Sequence, residues 1–444
     1  MEKDLIERGE PSVPKNWKLI RFRIITNTIL EKFPRIQKVL LYLINYIRIL
    51  KYQHNSKKIL EDNNNIYDID KIFWINPKKI QYISLKEFDI FNYKGRIIGG
   101  DWDLLDRPFD ELDVYVAFKE RFIEGKKWET TLFYQRIIHE IENGKYAWDC
   151  KNNIDFDKRL KKIELLYENI KTNGYKSQQE LFSDNPNPIK LEDEIAVNIG
   201  RHGDLLFNNG AHRLAIAKLL NLPQIQIKIT VRHPKWVEIR KGILLYAKDQ
   251  PTGKIYHPIT HIDLQDVPSF HEMETSRFNI IKKNLTSTKG CLLDIGAHWG
   301  YFCHRFEEFG FNCYAVENNY VNIYFLEKLR RADNKTFTII PKSIFDFQEI
   351  SNIDFDVVLA LNVFHHFLKT KESYFKLIEM LHNLRVKEMF FEPHNPKEFN
   401  NIIVYRNYYE EEFVQFILQN SKLKKAQQIG TAQDGRKIFK LFCE

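Results

Sequence analysis

Residues 292 to 302 read Leu-Leu-Asp-Ile-Gly-Ala-His-Trp-Gly-Tyr-Phe. An apolar run ends at an acidic residue, turns through two glycines and continues into an amphipathic segment, which is typical of a strand, a tight turn and a helix. A second apolar run, Cys313–Val316, ends at Glu317. Glycines let the backbone approach a ligand, and a carboxylate after the second strand is suited to accept both hydroxyls of a ribose. The pattern predicts a nucleoside cradle.

The glycine turn differs from the fingerprint of dinucleotide sites at one position. That fingerprint requires three glycines, as G-x-G-x-x-G, whereas here His298 stands between Gly296 and Gly300 in place of the middle glycine. A pyrophosphate would have less room against this backbone, while a sulfonium nucleoside carries no phosphate. The details therefore favour a sulfonium nucleoside over a nicotinamide or flavin cofactor.

On these residues the segment resembles the class I S-adenosylmethionine-dependent methyltransferases, whose first motif is hydrophobic-hydrophobic-Asp-hydrophobic-Gly-Ala-x-x-Gly. The resemblance covers about residues 270 to 444. It implies a Rossmann-like α/β sheet and S-adenosylmethionine as the cofactor. In that family the glycine turn meets the methionine end and the acidic residue after the second strand binds the ribose. Carried over by position, the cofactor-binding residues are Asp294, Gly296, Gly300 and Glu317.

Later apolar runs continue the alternation of strand and helix. The predicted strands span residues 336–340, 355–362 and 389–392, and the predicted helix spans about 371–383. Such alternation predicts a parallel sheet with helices on both faces, whose ligands lie at the carboxyl ends of the strands. Four polar residues fall at such ends, namely Asp294, Glu317, Asn362 and Glu392. Asn362 is therefore a further cofactor-binding candidate.

Two candidates on the cofactor side rest on weaker signals. The family usually has an acidic residue just after the third strand, near the adenine, but Ser343 occupies that place and Asp346 lies three residues further on. Asp346 is the candidate for the adenine side. His298 either covers the cofactor or fills the loop, and Asp294 has the alternative role of capping the following helix.

Two histidines, His365 and His366, follow the predicted strand that ends at Asn362. The run is similar to the fourth-strand motif of small-molecule and tRNA-wobble methyltransferases. A neutral imidazole there could take a proton from an acceptor hydroxyl, which makes both residues candidates for catalysis. The alternative is a structural pair at the start of a helix. DNA-base methylation is disfavoured, because amino-directed enzymes usually show a (Asp/Asn)-Pro-Pro-(Tyr/Phe) tetrad at this point.

A second unit lies at about residues 190 to 240. Predicted strands at Ile195–Ile199 and Leu205–Phe207 precede the segment Asn209-Gly210-Ala211-His212-Arg213, which opens a helix, and an alternating strand follows at Ile225–Val231. This unit resembles the ParB/sulfiredoxin-like fold, in which a Gly-x-x-Arg-x-x-Ala segment begins a helix whose N-terminus meets nucleotide phosphates. Gly210 and Arg213 match that segment. The resemblance implies an α+β domain in the middle of the chain.

The activity of this unit stays open. Helix-terminal amides and a guanidinium attract an anion, so three residues are possible nucleotide or phosphate ligands, namely Gly210, His212 and Arg213. ATP or CTP is the possible nucleotide. Arg213 either binds phosphate or pairs with a local carboxylate such as Asp204. Sulfinic acid reduction is excluded, because the cysteine that it needs would fall at Ala211.

Length and composition bound these expectations. A chain of 444 residues with 43% hydrophobic residues predicts two or three folded domains. The net charge of +8 is spread along the chain, so it permits anionic partners and makes nucleic acid an unlikely one. Five cysteines without regular spacing indicate free thiols in a reducing compartment and no metal site. With no signal peptide at the start, a cytoplasmic location is expected.

The first 80 residues are expected to form a basic region. Apolar residues at helical spacing, among them Leu40, Leu43 and Ile47, predict an amphipathic helix within residues 32 to 51, surrounded by lysines and arginines. Such a helix can lie on a membrane surface or pack on the core of its own protein. The apolar stretch is too short to span a bilayer.

The predicted organisation has three parts: a basic N-terminal region at 1–80, a helical plus ParB/sulfiredoxin-like domain at 81–250, and a class I methyltransferase domain at 265–444. The expected function is S-adenosylmethionine-dependent methyl transfer to an acceptor such as a small molecule or glycan. One alternative is a bifunctional enzyme whose middle domain binds a nucleotide or acts as a kinase. Another is a non-catalytic DNA-binding or scaffold protein with a degenerate methyltransferase fold.

Overall fold

The computed structural model describes residues 71–88, 90–144, 147–148, 150–181, 194–272, 276–399 and 403–443, together with Asp68 and six positions between Val39 and Leu50. The chain forms two compact units, residues 1–51 and residues 52–444. In the first unit, Leu40, Leu43 and Ile47 are helical and their side chains are exposed. Most of the predicted amphipathic helix, including its basic residues, lies outside the described residues.

A five-stranded mixed sheet forms the first part of the second unit. Its order is β1-β5-β3-β4-β2, with β1 at Ile72–Ile75, β2 at Tyr82–Ile83, β3 at Ile195–Ile199, β4 at Leu205–Asn209 and β5 at Ile225–Arg232. β3 pairs in parallel with β5 and antiparallel with β4. All five residues of β3 are buried, as an apolar central strand requires. β1 lies before the boundary predicted at residue 80, so this sheet draws on both predicted regions.

Within the described residues, five α-helices of nine residues or more accompany this sheet, with single helical turns at Ile90–Tyr93 and Gln178–Leu181. They are α1 at Asp113–Phe122, α2 at Leu132–Glu142, α3 at Asn153–Asn173, α4 at Ala211–Leu219 and α5 at Pro234–Asp249. α3 begins where the Asn152 side chain accepts a hydrogen bond from the Asp155 amide, and it ends at Gly174, whose φ is 76°. Both α1 and α3 pack against α4.

A seven-stranded sheet forms the rest of the unit, in the order β11-β12-β10-β9-β6-β7-β8. The strands are β6 at Gly290–Ile295, β7 at Phe311–Val316, β8 at Thr338–Ile340, β9 at Phe355–Leu361, β10 at Val386–Glu392, β11 at Lys425–Thr431 and β12 at Lys437–Phe442. The helices are α6 at Ser276–Asn284, α7 at Tyr301–Glu307, α8 at Tyr320–Ala332, α9 at Lys371–Asn383 and α10 at Glu410–Gln419. Short 3₁₀ helices span Ile344–Asp346 and Phe364–Leu368.

The direction of the strands fixes where a ligand can enter. Strands β6 to β10 are parallel, and β12 pairs antiparallel with both β10 and the edge strand β11. The chain leaves β6 toward β7 and β8 and then returns to β9 on the other side of β6. The strand order therefore reverses between β6 and β9, and the carboxyl ends of these two strands flank the crevice where open α/β sheets bind ligands.

Both faces of this sheet are covered, as its continuous apolar strands predict. Leu293 and Val358 belong to the core on one face, and Leu292 and Val357 belong to the core on the other, because successive strand residues point to opposite faces. None of the described helices is long and apolar enough to cross a membrane. All five cysteines are free thiols.

The two sheets are joined by buried polar contacts. His261 Nε2 lies 2.9 Å from the carbonyl oxygen of Gly203, and the Thr260 hydroxyl donates a hydrogen bond to Asp333 at the end of α8. A β-carbon on Gly203 would lie only 2.5 Å from the β-carbon of Ala332. The middle region is therefore packed directly against the second sheet.

Candidate active site

A cavity of about 330 Å³ opens at the carboxyl ends of β6 and β7. Its walls come from the glycine turn after β6, the segment after β7, the 3₁₀ helix after β8 and the loop after β9. The lining residues are Ile295, Gly296, Val316, Glu317, Asn318, Lys342, Ser343, Ile344, Val363, His366 and Phe367. This cofactor cavity, as it is called below, is where the sequence predicted the nucleoside cradle.

Glu317 is the fixed anionic group of the cofactor cavity. Its carboxylate accepts hydrogen bonds from the backbone amides of His298 at 2.9 Å, Asn318 at 3.0 Å and Asn319 at 2.8 Å. Burial raises the pKa of Glu317, and the amide hydrogen bonds act in the opposite direction. The three amides hold the carboxylate in one orientation at the end of β7, where a ribose would lie.

The glycine turn is shaped by two hydrogen bonds to one shared acceptor and by close packing. The amides of Gly296 and Ala297 both donate to the carbonyl oxygen of Val316 at 2.9 Å. Gly300 has a φ of 78°, and a β-carbon there would lie 2.5 Å from Leu326 Cδ1. Gly300 therefore serves the packing of the turn against α8, and it is not among the residues that line the cofactor cavity.

Two further predicted cofactor ligands, like Gly300, lie away from the lining of the cofactor cavity. Asp294 is buried behind the turn, with Cys303 Sγ 3.9 Å from its carboxylate, and burial together with Glu317 raises its pKa to about 7. Asp346 is exposed on the 3₁₀ helix after β8. Ser343 and Ile344 line the cavity in its place. The 3₁₀ helix turns its third residue outward, so a role for Asp346 on the adenine side stays a prediction.

A larger cavity of about 840 Å³ lies on the other side of the same two loops. Gly296 and Val363 line the cofactor cavity, whereas His298 and Asn362 line the larger one. His298 and Asn362 have φ values of 53° and 51°, so both loops pass through the left-handed region at these residues. The larger cavity is lined further by Tyr246, Gln250, Pro251, Thr252, Lys254, Ile255, Tyr256, Phe270, Asn395, Lys397, Glu398, Glu410, Asp434, Gly435 and Arg436.

Unpaired polar atoms are buried at the junction of the two cavities. His298 Nδ1, Trp299 Nε1 and Asn362 Oδ1 have no hydrogen-bond partner among the described residues. Buried polar groups are normally hydrogen-bonded, and leaving one unpaired costs about 1–3 kcal/mol. Burial also lowers the pKa of His298 to about 4, so its imidazole is neutral at pH 7. A polar ligand at this junction would satisfy these atoms, as the amino-acid end of S-adenosylmethionine can.

The two histidines predicted as catalytic, His365 and His366, lie in different surroundings. His366 lines the cofactor cavity, and its Nδ1 lies 3.1 Å from Lys369 Nζ. His365 lines neither cavity, and its ring packs against the rings of His394 and Phe399 at centroid distances of 5.3 Å and 6.0 Å. Burial lowers the pKa of His365 to about 2 and that of His366 to about 4. Both rings are therefore neutral at pH 7, and the His365 ring is a very weak base.

A buried ion network lies beneath the larger cavity, at the end of β10. Arg277 pairs with both oxygens of Glu392 and donates to Asp434 at 2.7 Å. Arg436 in turn donates to Asp434 at 2.9 Å. Asp434 and Arg436 line the larger cavity. Glu392, which was noted at a strand end, thus anchors the hairpin between β11 and β12.

In the motif that contains Gly210 and Arg213, the arginine pairs with a different carboxylate from the one named in the prediction. Arg213 is buried and donates to Glu194 at 2.9 Å, rather than to Asp204, and also donates to the carbonyl oxygen of Lys176. A β-carbon on Gly210 would lie 2.9 Å from the Cα of Ile195, so this glycine is required by packing. The guanidinium is therefore turned toward protein partners, and nucleotide binding at Gly210 and Arg213 stays a prediction.

The comparison with known proteins finds a match in the part of the chain that forms the second sheet. A family model described as a methyltransferase domain matches residues 293–382, so this part of the chain is similar to that domain. No curated protein matches the chain significantly. Among solved structures, the bifunctional kinase-methyltransferase WbdD aligns at 15% identity over 45% of this chain and 46% of that chain, with a TM-score of 0.37.

Two further structures align over a somewhat smaller share of this chain. A putative O-methyltransferase from Nostoc punctiforme PCC 73102 is 13% identical over 37% of this chain and 54% of that chain, with a TM-score of 0.30. The methyltransferase domain of bacterial CtHen1 is 12% identical over 37% of this chain and 97% of that chain, with a TM-score of 0.30. The chain thus spans about half the length of the first two structures.

Proposed function

We propose that this protein transfers a methyl group from S-adenosylmethionine to a hydroxyl-bearing acceptor, such as a small molecule or a glycan. The observation that carries the proposal is Glu317, a buried carboxylate that three backbone amides orient toward a cavity at the glycine turn of a methyltransferase domain. A fixed carboxylate at the end of the second parallel strand is suited to bind the two hydroxyls of a ribose.

The remaining residues of the two cavities divide the cofactor between them. Ser343, Ile344 and Phe367 offer a partly apolar wall for the adenine. His298 and Asn362 offer unpaired polar atoms to the methionine end. When bound there, the cofactor supplies an activated methyl group, and most of the rate enhancement can come from holding the acceptor oxygen in line with it.

The larger cavity is the proposed acceptor site. It adjoins the cofactor cavity at His298 and Asn362, and its lining mixes aromatic rings with charged and amide groups. An acceptor hydroxyl at this junction must lose its proton as the methyl group arrives. His298 on the acceptor side and His366 on the cofactor side are the neutral imidazoles placed to take it.

Calorimetric titration with S-adenosylmethionine and S-adenosylhomocysteine tests the cofactor assignment. Glu317→Gln should weaken both affinities by about tenfold or more, since it removes the charge that pairs with the ribose hydroxyls. Glu379→Gln, on the exposed face of α9, is the matched control and should bind like the wild type. Absence of binding by the wild type, or equal binding by both variants, would overturn the proposal.

A further inference from the structure

A third cavity, of about 460 Å³, lies between α3 and the start of α4. It shares no residue with the two cavities of the methyltransferase domain. Its lining is Cys150, Asp155, Lys158, Arg159, Lys162, Ile163, Leu166 and His212. We call it the basic cleft, because it contains three cationic side chains and one carboxylate.

The positive charge of the basic cleft is concentrated on one side of α3. Lys158, Arg159 and Lys162 fall within one helical turn, and like charges three or four residues apart repel each other. Neither Lys158 nor Lys162 forms an ion pair within the part of the chain that the structure describes. The cleft thus carries three cationic side chains against the single carboxylate of Asp155, an excess of positive charge that an anionic ligand would offset.

Arg159 is held in place by an aromatic wall. Its guanidinium lies 4.7 Å from the ring centroid of Trp148, and the Trp148 ring meets the His212 ring edge-on at 4.9 Å. Burial, with a further contribution from Arg159, lowers the pKa of His212 to about 4. The ring is thus neutral at pH 7 and offers one N–H donor. Pre-organised donors of this kind lose little side-chain entropy when they bind a ligand.

The N-terminus of the helix that carries His212 adds to the positive electrostatic potential of the basic cleft. α4 has nine residues, and His212 is its second residue, so the unpaired amides of its first turn lie at this end. Guanidinium and ammonium groups beside a helix N-terminus are the groups that recognise phosphate oxygens. The floor of the cleft is apolar, formed by Ile163 and Leu166, which suits a ligand with a non-ionic part.

We propose that the basic cleft binds a small molecule that carries a phosphate or diphosphate group. Lys158, Arg159 and Lys162 contact the phosphate oxygens, and His212 donates one hydrogen bond. The site does not include Gly210 or Arg213, whose guanidinium is engaged by Glu194. None of its residues lines the cofactor cavity or the proposed acceptor site.

The test is calorimetric titration of the full chain at low salt with inorganic pyrophosphate, ATP, CTP and a hexose 1-phosphate. The double variant Lys158→Gln/Lys162→Gln should lower the affinity for pyrophosphate by about tenfold or more, and Arg159→Gln should do the same. The control is Lys161→Gln/Lys171→Gln, which removes the same charge from exposed positions on the same helix outside the cleft.

Each outcome decides the matter. If pyrophosphate and ATP bind with equal affinity, and only the cleft variants lose that affinity, the site recognises the phosphate group alone. Tighter binding of one nucleotide or of the hexose phosphate also supports the proposal, and it identifies the molecule that carries the phosphate. No binding of any of the four probes overturns it. Equal loss of affinity in the cleft double variant and the control double variant also overturns it.

Discussion

Gly296 and Val363 hold the two site loops against each other. A β-carbon built on Gly296 would lie 2.8 Å from Cγ2 of Val363, closer than such atoms approach in practice. The glycine turn after β6 and the loop after β9 therefore meet at this one contact. Because the two proposed binding cavities lie on opposite sides of it, the contact sets both the width of the cofactor cavity and the path toward the acceptor.

Gly296→Ala should lower both stability and affinity for S-adenosylhomocysteine. The substitution adds the steric conflict with Val363 to the cost of a φ of 77°, and together these should reduce the free energy of unfolding by about 1–3 kcal/mol. Gly310→Ala is the matched control, since its φ is 85° and its β-carbon would have no neighbour within 4 Å. Urea unfolding and calorimetry would measure both effects.

The double variant Gly296→Ala/Val363→Ala separates the two costs. Removing the valine methyl groups should restore part of the affinity that Gly296→Ala loses, while leaving the backbone cost in place. If Gly310→Ala were as costly as Gly296→Ala in stability, and the double variant restored nothing, then the contact would have no special role.

Asp294 should make the protein less stable as pH rises from about 4 to about 7. Its folded pKa is raised to about 7, so across this window the folded state keeps a proton that the unfolded state has lost. The free energy of unfolding should then fall by about 1.4 kcal/mol per pH unit and level off above pH 7. Asp294→Asn should remove this slope. The free energy of unfolding of the variant, relative to that of the wild type, should therefore rise between pH 4 and pH 7. Parallel unfolding curves for the two proteins would contradict this.

His365 and His366 should differ when each is replaced by alanine. His365→Ala removes a buried ring that packs against His394 and Phe399, and it should lower stability by about 2–4 kcal/mol with little change in affinity for S-adenosylhomocysteine. His366→Ala should leave stability within about 0.5 kcal/mol and weaken cofactor binding, because His366 lines the cofactor cavity. Thermal unfolding and calorimetry on both variants measure the difference, and the reverse pattern would refute it.

Arg277 should be far more important to stability than an exposed arginine of the same domain. Arg277→Met leaves the buried carboxylate of Glu392 without its bidentate partner, which should cost about 3–5 kcal/mol. Arg385→Met breaks the exposed pair with Asp354 and should cost about 0–1 kcal/mol. The urea midpoints of the two variants measure the contrast, and similar midpoints would show that Glu392 finds another partner.

Much of the second sheet was predictable, because its signals are local. β6 and β9 are buried on both faces, so their sequences are continuous apolar runs that end where the polar residues of the site begin. Gly296 and Glu317 lie directly after such runs, and each was assigned from its immediate neighbours. Helix α9 begins at Lys371 and ends at Asn383, as its period predicted.

The sequence carries less information about residues whose contacts depend on distant segments. Tyr256 and Arg436 line the same cavity although 180 positions separate them in the chain, and neither carries a motif. Arg213 was assigned from its own helix start, but its partner Glu194 lies before β3. Asp346 was placed by analogy with the family, and the local 3₁₀ turn decides its direction instead. A pattern along the chain carries no information about such pairings.

One wall of the larger cavity comes from a part of the chain that precedes the whole lining of the cofactor cavity. Tyr246 lies near the end of α5, and Tyr256 and Phe270 lie between α5 and α6, so all three precede the parallel strands that hold Gly296 and Glu317. A fragment that began after this segment would retain the cofactor cavity and lose one side of the proposed acceptor site. The proposed acceptor site is thus shared between the segment before α6 and the second sheet, whereas the cofactor cavity is lined by the second sheet and its loops alone. Exchange of the segment before α6 should therefore change the proposed acceptor site and leave the lining of the cofactor cavity the same.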